Sequence, residues 1–367
     1  MHAEFTREHP DVQGAWSQWS EDQTLHLVLV YNNPFRWESR RTLFNDAVRH
    51  FVNTPNVRVY IVELAYDQRP FETAEFSARP DLTCLQLRCD CELWHKENLI
   101  NVGVRSFPPD WQYGGYFDAD FHCTRHDWAL EAIHLLQHHQ FVQLFSSYAD
   151  LATSHKPYRL ASSFAWNYLN QEEFQRSWEQ RRQKSNPTGD GRYGTRLPKT
   201  DKFPFGFPPG ATGGGWAWRR QAFNTVGGML DTCILGSGDW HMAFGLAELT
   251  NVAAEMKRCT KPYMNAVLQW QNRAARLKEH PGKSAIGCVN QFAAHHFHGS
   301  KSQRHYGDRW HILQRHEFDP ATDLTRDWQG VWRWAGNKPK LRDEVRGYFL
   351  SRNEDDPTLR GGEATLV

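Results

Sequence analysis

Three observations predict an α/β fold built on a mostly parallel, doubly wound sheet. Apolar, β-branched runs of strand length alternate with segments of helical spacing through the first 150 residues. Asn, Pro and Gly fall at the ends of these runs, where a strand-to-helix connection must turn. A short apolar strand, Tyr113-Gly114-Gly115-Tyr116-Phe117, then runs into Asp118-Ala119-Asp120. This puts carboxylates at the carboxyl edge of the sheet, the side on which open α/β folds bind ligands.

In order, Thr24 to Tyr31 reads as a buried first strand closed by the turn Asn32-Asn33-Pro34. Trp37 to Phe51 carries Leu43, Phe44, Ala47, Val48 and Phe51 at helical spacing. Asn56 to Leu64 is the second strand and Leu82 to Cys89 the third, with a helix over Trp94 to Val104 before the central strand. A helix over His126 to His139 and an apolar run from Phe141 to Phe145 follow. Between Arg181 and Lys202 periodicity stops. There Arg181, Arg182, Lys184, Arg192, Arg196, Lys199 and Lys202 stand against Asp190 and Asp201, seven minus two, a local balance of +5. The segment reads either as a solvated loop or as a lid or acceptor-binding loop, a use to which long irregular segments are often put.

Composition narrows the function. A formal net charge of +1 gives no global attraction to a polyanion, so any nucleic-acid contact must be local. The 16 Trp and 19 His supply flat, polar-tipped surfaces suited to sugars and bases as well as to core packing. No apolar stretch is long enough to span a bilayer, and Met1-His2-Ala3-Glu4-Phe5 has no basic region leading into an apolar one, so no signal peptide is read there. The seven cysteines, an odd number without repeated paired spacing, fit a reduced, cytoplasmic chain. Cys89-Asp90-Cys91 lacks a second pair and reads as two half-buried thiols rather than a structural zinc site.

The chemistry gathers around Asp118 and Asp120. On an extended segment residues i and i+2 point the same way, so both carboxylates can face one hard cation, Mn²⁺ or Mg²⁺. The bland alternative is a solvated strand end. Downstream, Gly213-Gly214-Gly215 lets backbone approach a ligand closely. Asp239 opens an apolar helical stretch after a glycine-rich bend, either as a helix cap or as a general base. His295-His296-Phe297-His298 offers an imidazole to complete an Asp-bound metal site.

The order of Asn32-Asn33-Pro34-Phe35-Arg36, Asn98-Leu99-Ile100-Asn101-Val102-Gly103, Asp118-Ala119-Asp120, Gly213-Gly214-Gly215, Gly238-Asp239-Trp240 and His298 resembles a GT-A glycosyltransferase and is similar to the β-1,4-galactosyltransferase family, over roughly residues 25 to 310. The resemblance implies that Pro34, Phe35 and Arg36 lie along the nucleotide, with Asn32, Glu63, Asp118 and Trp216 also on the donor side. It implies that Gly214 and Gly215 border the donor sugar, that Asp120 and His298 ligate Mn²⁺, and that Asp239 activates the acceptor. Two departures stand out. Leu235-Gly236-Ser237-Gly238-Asp239-Trp240 keeps one acidic residue where the family has Trp-Gly-x-Gly-Glu-Asp, which bears on the acceptor and on galactose as the sugar. The family's Met ligand near His298 is missing, and His295 or His296 stands in its place, His296 being taken here as the third ligand.

The sequence thus predicts an N-terminal extension (1–23), a GT-A domain (24–320) and a C-terminal extension (321–367). Within the domain, a nucleotide-binding half (24–150) and an acceptor half (203–320) flank the basic loop (181–202). The expected activity is metal-dependent, inverting transfer of a sugar from a UDP-sugar to a hydroxyl. Arg192, Arg196, Lys199, Lys202 and Trp240 form the expected acceptor side, and the favoured acceptor is a 5-hydroxymethylpyrimidine in phage DNA. A surface glycan or lipopolysaccharide acceptor is the alternative. A sugar- or nucleotide-binding module without catalysis is the rival from another class. A two-metal hydrolase or nuclease would show more converging carboxylates.

Overall fold

The computed structural model describes residues 23–172, 207–251, 253, 259–279, 284–300 and 302–356. Its centre is a seven-stranded, mostly parallel sheet flanked by helices. The strands are β1 (Leu25–Asn32), β2 (Val57–Tyr66), β3 (Thr83–Cys89), β4 (Tyr113–Phe117), β6 (His139–Gln143), β9 (Gly215–Arg219) and β10 (Ser284–Cys288), in the order β10-β6-β9-β4-β1-β2-β3. Only β9 runs against its neighbours β4 and β6; the other adjacent pairs are parallel.

Both faces of this sheet are buried, as parallel sheets require. Leu25, Leu27 and Leu29 of β1 enter one core, while Val28 enters the other. Helix α1 (Glu38–Val52) covers the first face with Phe44, Ala47, Val48 and Phe51, and α2 (Lys96–Val104) covers the second with Leu99, Ile100 and Val104. Burying a side chain such as Phe44 or Phe51 contributes about 2–3 kcal/mol. The predicted strands and helices up to β6 are present, their ends displaced by a few residues.

A second, four-stranded sheet, β5 (Phe121–Cys123), β11 (Phe292–His295), β7 (Ser147–Leu151) and β8 (Pro157–Ser162), stands beside the carboxyl edge of the first. The antiparallel strand β9 leads into α3 (Arg220–Val226), and α4 (Gly238–Leu246) packs on α5 (Lys261–Ala275). The segment read as a C-terminal extension folds back onto the domain. It forms the hairpin β12 (Leu324–Arg326) and β13 (Trp332–Trp334), then helix α6 (Pro339–Ser351). Beyond α6, Glu354 accepts from Arg40 of α1 at 2.6 and 2.8 Å. No helix among the described residues is long and apolar enough to cross a membrane.

Candidate functional site

Strand order turns back between β1 and β4, and a cavity of about 640 Å³ opens over their carboxyl ends. That is the switch point at which open α/β sheets bind ligands, and the volume suits a small-molecule site. Asp118, Asp120, Gly213, Gly214, Asp239 and Trp240 all line it.

The chain leaves β4 at Phe117 and turns, with the Phe121 amide donating to the Asp118 carbonyl at 3.0 Å. Asp118 and Asp120 therefore do not share one extended face. Asp120 goes to the imidazoles: its Oδ2 lies 2.9 Å from His298 Nε2 and 3.9 Å from His295 Nε2. Ligand atoms of Asp120, His295 and His298 all lie within 4.8 Å of one another, a group able to hold a metal ion. The tautomers fit that role. His295 Nδ1 is 2.6 Å from Asp150 Oδ1, and His298 Nδ1 is 2.9 Å from the His296 carbonyl, so both rings protonate at Nδ1 and turn an Nε2 lone pair toward Asp120. The Arg304 guanidinium donates to that lone pair on His298. Burial and Arg304 hold the His298 pKa down against the pull of Asp120. Burial opposes ionisation of Asp120, yet His298 and His295, in their protonated forms, and the Arg304 guanidinium hold it below the usual carboxylate range. Its Oδ1 is buried without a hydrogen-bond partner.

Asp118 pairs instead with Lys96, the first residue of α2, at 3.1 Å. Its Oδ2 also accepts from the Gly214 amide at 3.2 Å. Burial raises the Asp118 pKa to about 6, Lys96 opposing and Asp120 and Asp239 adding to the rise. Lys96 reaches Asp239 Oδ2 at 3.7 Å and Glu97 Oε1 at 3.9 Å. Burial alone would lower the Lys96 pKa, but these acidic neighbours, Asp118 first, raise it well above the ordinary lysine value. Burial lifts Glu97 to about 7.

Asp239 sits in the first turn of α4, where the helix dipole favours a carboxylate, and its Oδ1 accepts from the Trp240 amide at 2.7 Å. Oδ2 is the oxygen turned toward Gly213 and Lys96. Gly214 has φ +89°, and a Cβ there would come within 2.6 Å of the Phe145 ring. Glycine is needed for both reasons.

Several expected site residues lie elsewhere. His296 turns away, pairing with His122 at 3.1 Å, because adjacent residues leaving β11 point to opposite sides; His295 takes its place. The Glu63 carboxylate is buried off the cavity, accepting from the Glu72 and Thr73 amides at 2.7 and 3.1 Å. Pro34, Phe35 and Arg36 follow β1 out of the cavity wall; Arg36 has an exposed side chain 4.0 Å from Glu72. Gly215 packs on the Phe117 ring, and Trp216 is buried in the core with its Nε1 donating to the Thr212 carbonyl at 2.8 Å. Asn32 does line the cavity, accepting from Tyr66 at 2.6 Å. Arg192, Arg196, Lys199 and Lys202 lie outside the described residues.

The cavity also holds cations that were not among the expected site residues: Lys96, Arg40, Arg304, Arg309 and Arg352. Arg309 donates to the Tyr348 hydroxyl at 3.1 Å and to the Ser237 hydroxyl, and no carboxylate pairs with it among the described residues. Arg40 and Arg352 converge on buried Glu354. These cations come from four separate stretches of chain, so no local motif announces them.

No protein-family model matches the chain, and no curated protein sequence does. Solved structures that match include 4-diphosphocytidyl-2C-methyl-D-erythritol synthase from Anaerococcus prevotii, at 8% identity, 76% of this chain, 89% of that chain and a TM-score of 0.32. Another is the mannosyltransferase PcManGT from Pyrobaculum calidifontis in complex with GDP-Man and Mn²⁺, at 12% identity, 72% of this chain, 81% of that chain and a TM-score of 0.33. At such scores neither likeness bears on mechanism.

Proposed function

We propose that the chain is a metal-dependent glycosyltransferase of the GT-A type, moving a sugar from a UDP-sugar to an acceptor hydroxyl with inversion. The observation that carries this reading is the placement of Asp120, His295 and His298 in the same cavity as Asp239, above the carboxyl ends of β1 and β4. One carboxylate and two imidazoles as the donor set suit Mn²⁺ better than Mg²⁺, which prefers oxygen throughout. What the ion supplies when bound is Lewis-acid stabilisation of the leaving diphosphate, worth several kcal/mol in general.

The side chains do the rest. Asp239 Oδ2 takes the proton of the acceptor hydroxyl as that oxygen bonds to the anomeric carbon. The bond from this carbon to the phosphate oxygen breaks on the opposite side, and the nucleoside diphosphate departs. Lys96 holds Asp118 and Asp239 in place from one side. Arg304 and Arg309 offer guanidinium donors to phosphate oxygens, a geometry suited to bidentate contact. Gly214, in the cavity wall, borders the sugar.

The +5 balance of residues 181–202 supports a 5-hydroxymethylpyrimidine in DNA as the acceptor, met through Arg192, Arg196, Lys199, Lys202 and Trp240. The test is a screen of UDP-sugars for Mn²⁺-dependent turnover, first without acceptor, then with hydroxymethylated duplex DNA and with glycans. Turnover stimulated by the modified DNA is expected; stimulation by glycans alone would move the acceptor to a surface polysaccharide. No turnover of any UDP-sugar with any acceptor would contradict the proposal.

A further inference from the structure

Cys89 closes β3, Cys91 follows it, and His95 immediately precedes α2. Their side chains meet in the interior: Cys89 is 2%, Cys91 6% and His95 0% exposed. The two sulfurs lie 3.2 Å apart, and ligand atoms of all three residues lie within 4.8 Å of one another. His95 Nε2 is 3.2 Å from the Cys91 carbonyl oxygen. A carbonyl only accepts, so Nε2 carries the proton and Nδ1 is left with a lone pair. That Nδ1 is buried with no nitrogen or oxygen partner, and the side chain its ring meets is the Cys89 thiol. Leaving a buried polar atom unsatisfied costs about 1–3 kcal/mol, so an occupant for this position is favoured. The Trp332 carbonyl of β13 stands beside both sulfurs, at 3.8 and 3.6 Å.

Two thiols and an imidazole lone pair converging in a dry interior are a donor set for a borderline or soft cation, not for Mg²⁺ or Ca²⁺. The spacing Cys-x-Cys-x-x-x-His hides this in the sequence, because the third ligand sits past a loop. We propose that Cys89, Cys91 and His95 bind a zinc ion beside the Trp332 carbonyl, in a structural site distinct from the Asp120 centre. Each ligating thiol gives up its proton to solvent as its sulfur bonds the metal, so uptake releases protons and strengthens with pH. The ion joins the end of β3 to the start of α2 and the β13 hairpin. Lys96, which follows His95, is thereby held at the cavity.

The test uses the full chain carrying Asp120→Ala, reduced and stripped with a chelator, then titrated with Zn²⁺ against a chromophoric competitor. One zinc per chain is expected, lost in Cys89→Ser and in His95→Gln, with a rise in melting temperature that those variants lack. Co²⁺ added to the chain with its cysteines intact should give a thiolate-to-metal charge-transfer band, a readout that stands even where a cysteine variant fails to fold. Equal zinc uptake with and without Cys89, or no thiolate band with Co²⁺, would overturn the proposal. So would mild oxidation that joins Cys89 to Cys91 in a chain that takes up no zinc when reduced, for the thiols would then be a redox pair.

Discussion

Gly213 stands so close to Asp239 that a Cβ at residue 213 would come within 2.2 Å of Asp239 Oδ2. Any side chain there must displace the oxygen assigned as the base, and Asp118 Oδ2, 3.6 Å from the same point, limits where it can go. Gly213→Ala is therefore expected to behave like Asp239→Asn. Both should lower turnover by roughly 10²–10⁴-fold while UDP binding in Mn²⁺ is retained, the usual worth of general base catalysis. Steady-state rates at saturating donor and acceptor check this. Near-normal turnover in Asp239→Asn would leave that carboxylate a helix-terminal group and no more.

Lys96 and Asp118 form a pair with side chains only 15% and 23% exposed. Removing the cation leaves Asp118 in a buried, acidic neighbourhood, and breaking such a pair typically costs about 3–5 kcal/mol. Lys96→Met should lose that much in urea unfolding, and adding Asp118→Asn should recover most of it. A double variant no more stable than Lys96→Met would mean that Lys96 acts chiefly through Asp239 and Glu97.

Glu354 ties the C-terminal segment to the cavity. Burial would raise its pKa, but Arg40 and Arg352 outweigh it and bring it from 4.5 down to about 2. For a carboxyl whose folded pKa is depressed, the stabilisation is fully present above the unfolded value and is lost as pH falls through the folded one. Each pKa unit corresponds to about 1.4 kcal/mol, so the contribution is on the order of 3 kcal/mol at pH 7, fading between about pH 4.5 and pH 2. Glu354→Gln should be less stable than the parent by that order at neutral pH, and the gap should close with acid. A gap independent of pH from 7 to 3 would exclude the ionised carboxylate as its source.

Much of the fold was legible because its strands are apolar runs bounded by turn residues, and because α1 repeats Phe44, Ala47, Val48 and Phe51 on one face. Strand β9 was not: Trp216-Ala217-Trp218 is short, and the three glycines before it read as a loop. The choice between His295 and His296 turned on where the chain leaves β11, which no spacing reveals. Asp118 and Asp120 diverge because the strand ends one residue before them, so the i, i+2 rule no longer applies. Lys96, Arg309 and Arg352 reach the cavity through tertiary packing alone, and a lysine opening a helix looks in sequence like any other.

The central claim is that Asp120, with His298 and His295, holds the ion that recruits the donor. Calorimetric titration of UDP into the intact chain and into Asp120→Ala, each with and without Mn²⁺, tests it most directly. The intact chain should bind UDP far more tightly with Mn²⁺ than without it, and Asp120→Ala should show the weak, metal-independent binding under both conditions while keeping its fold by circular dichroism. Undiminished Mn²⁺-dependent UDP binding in Asp120→Ala would contradict the account.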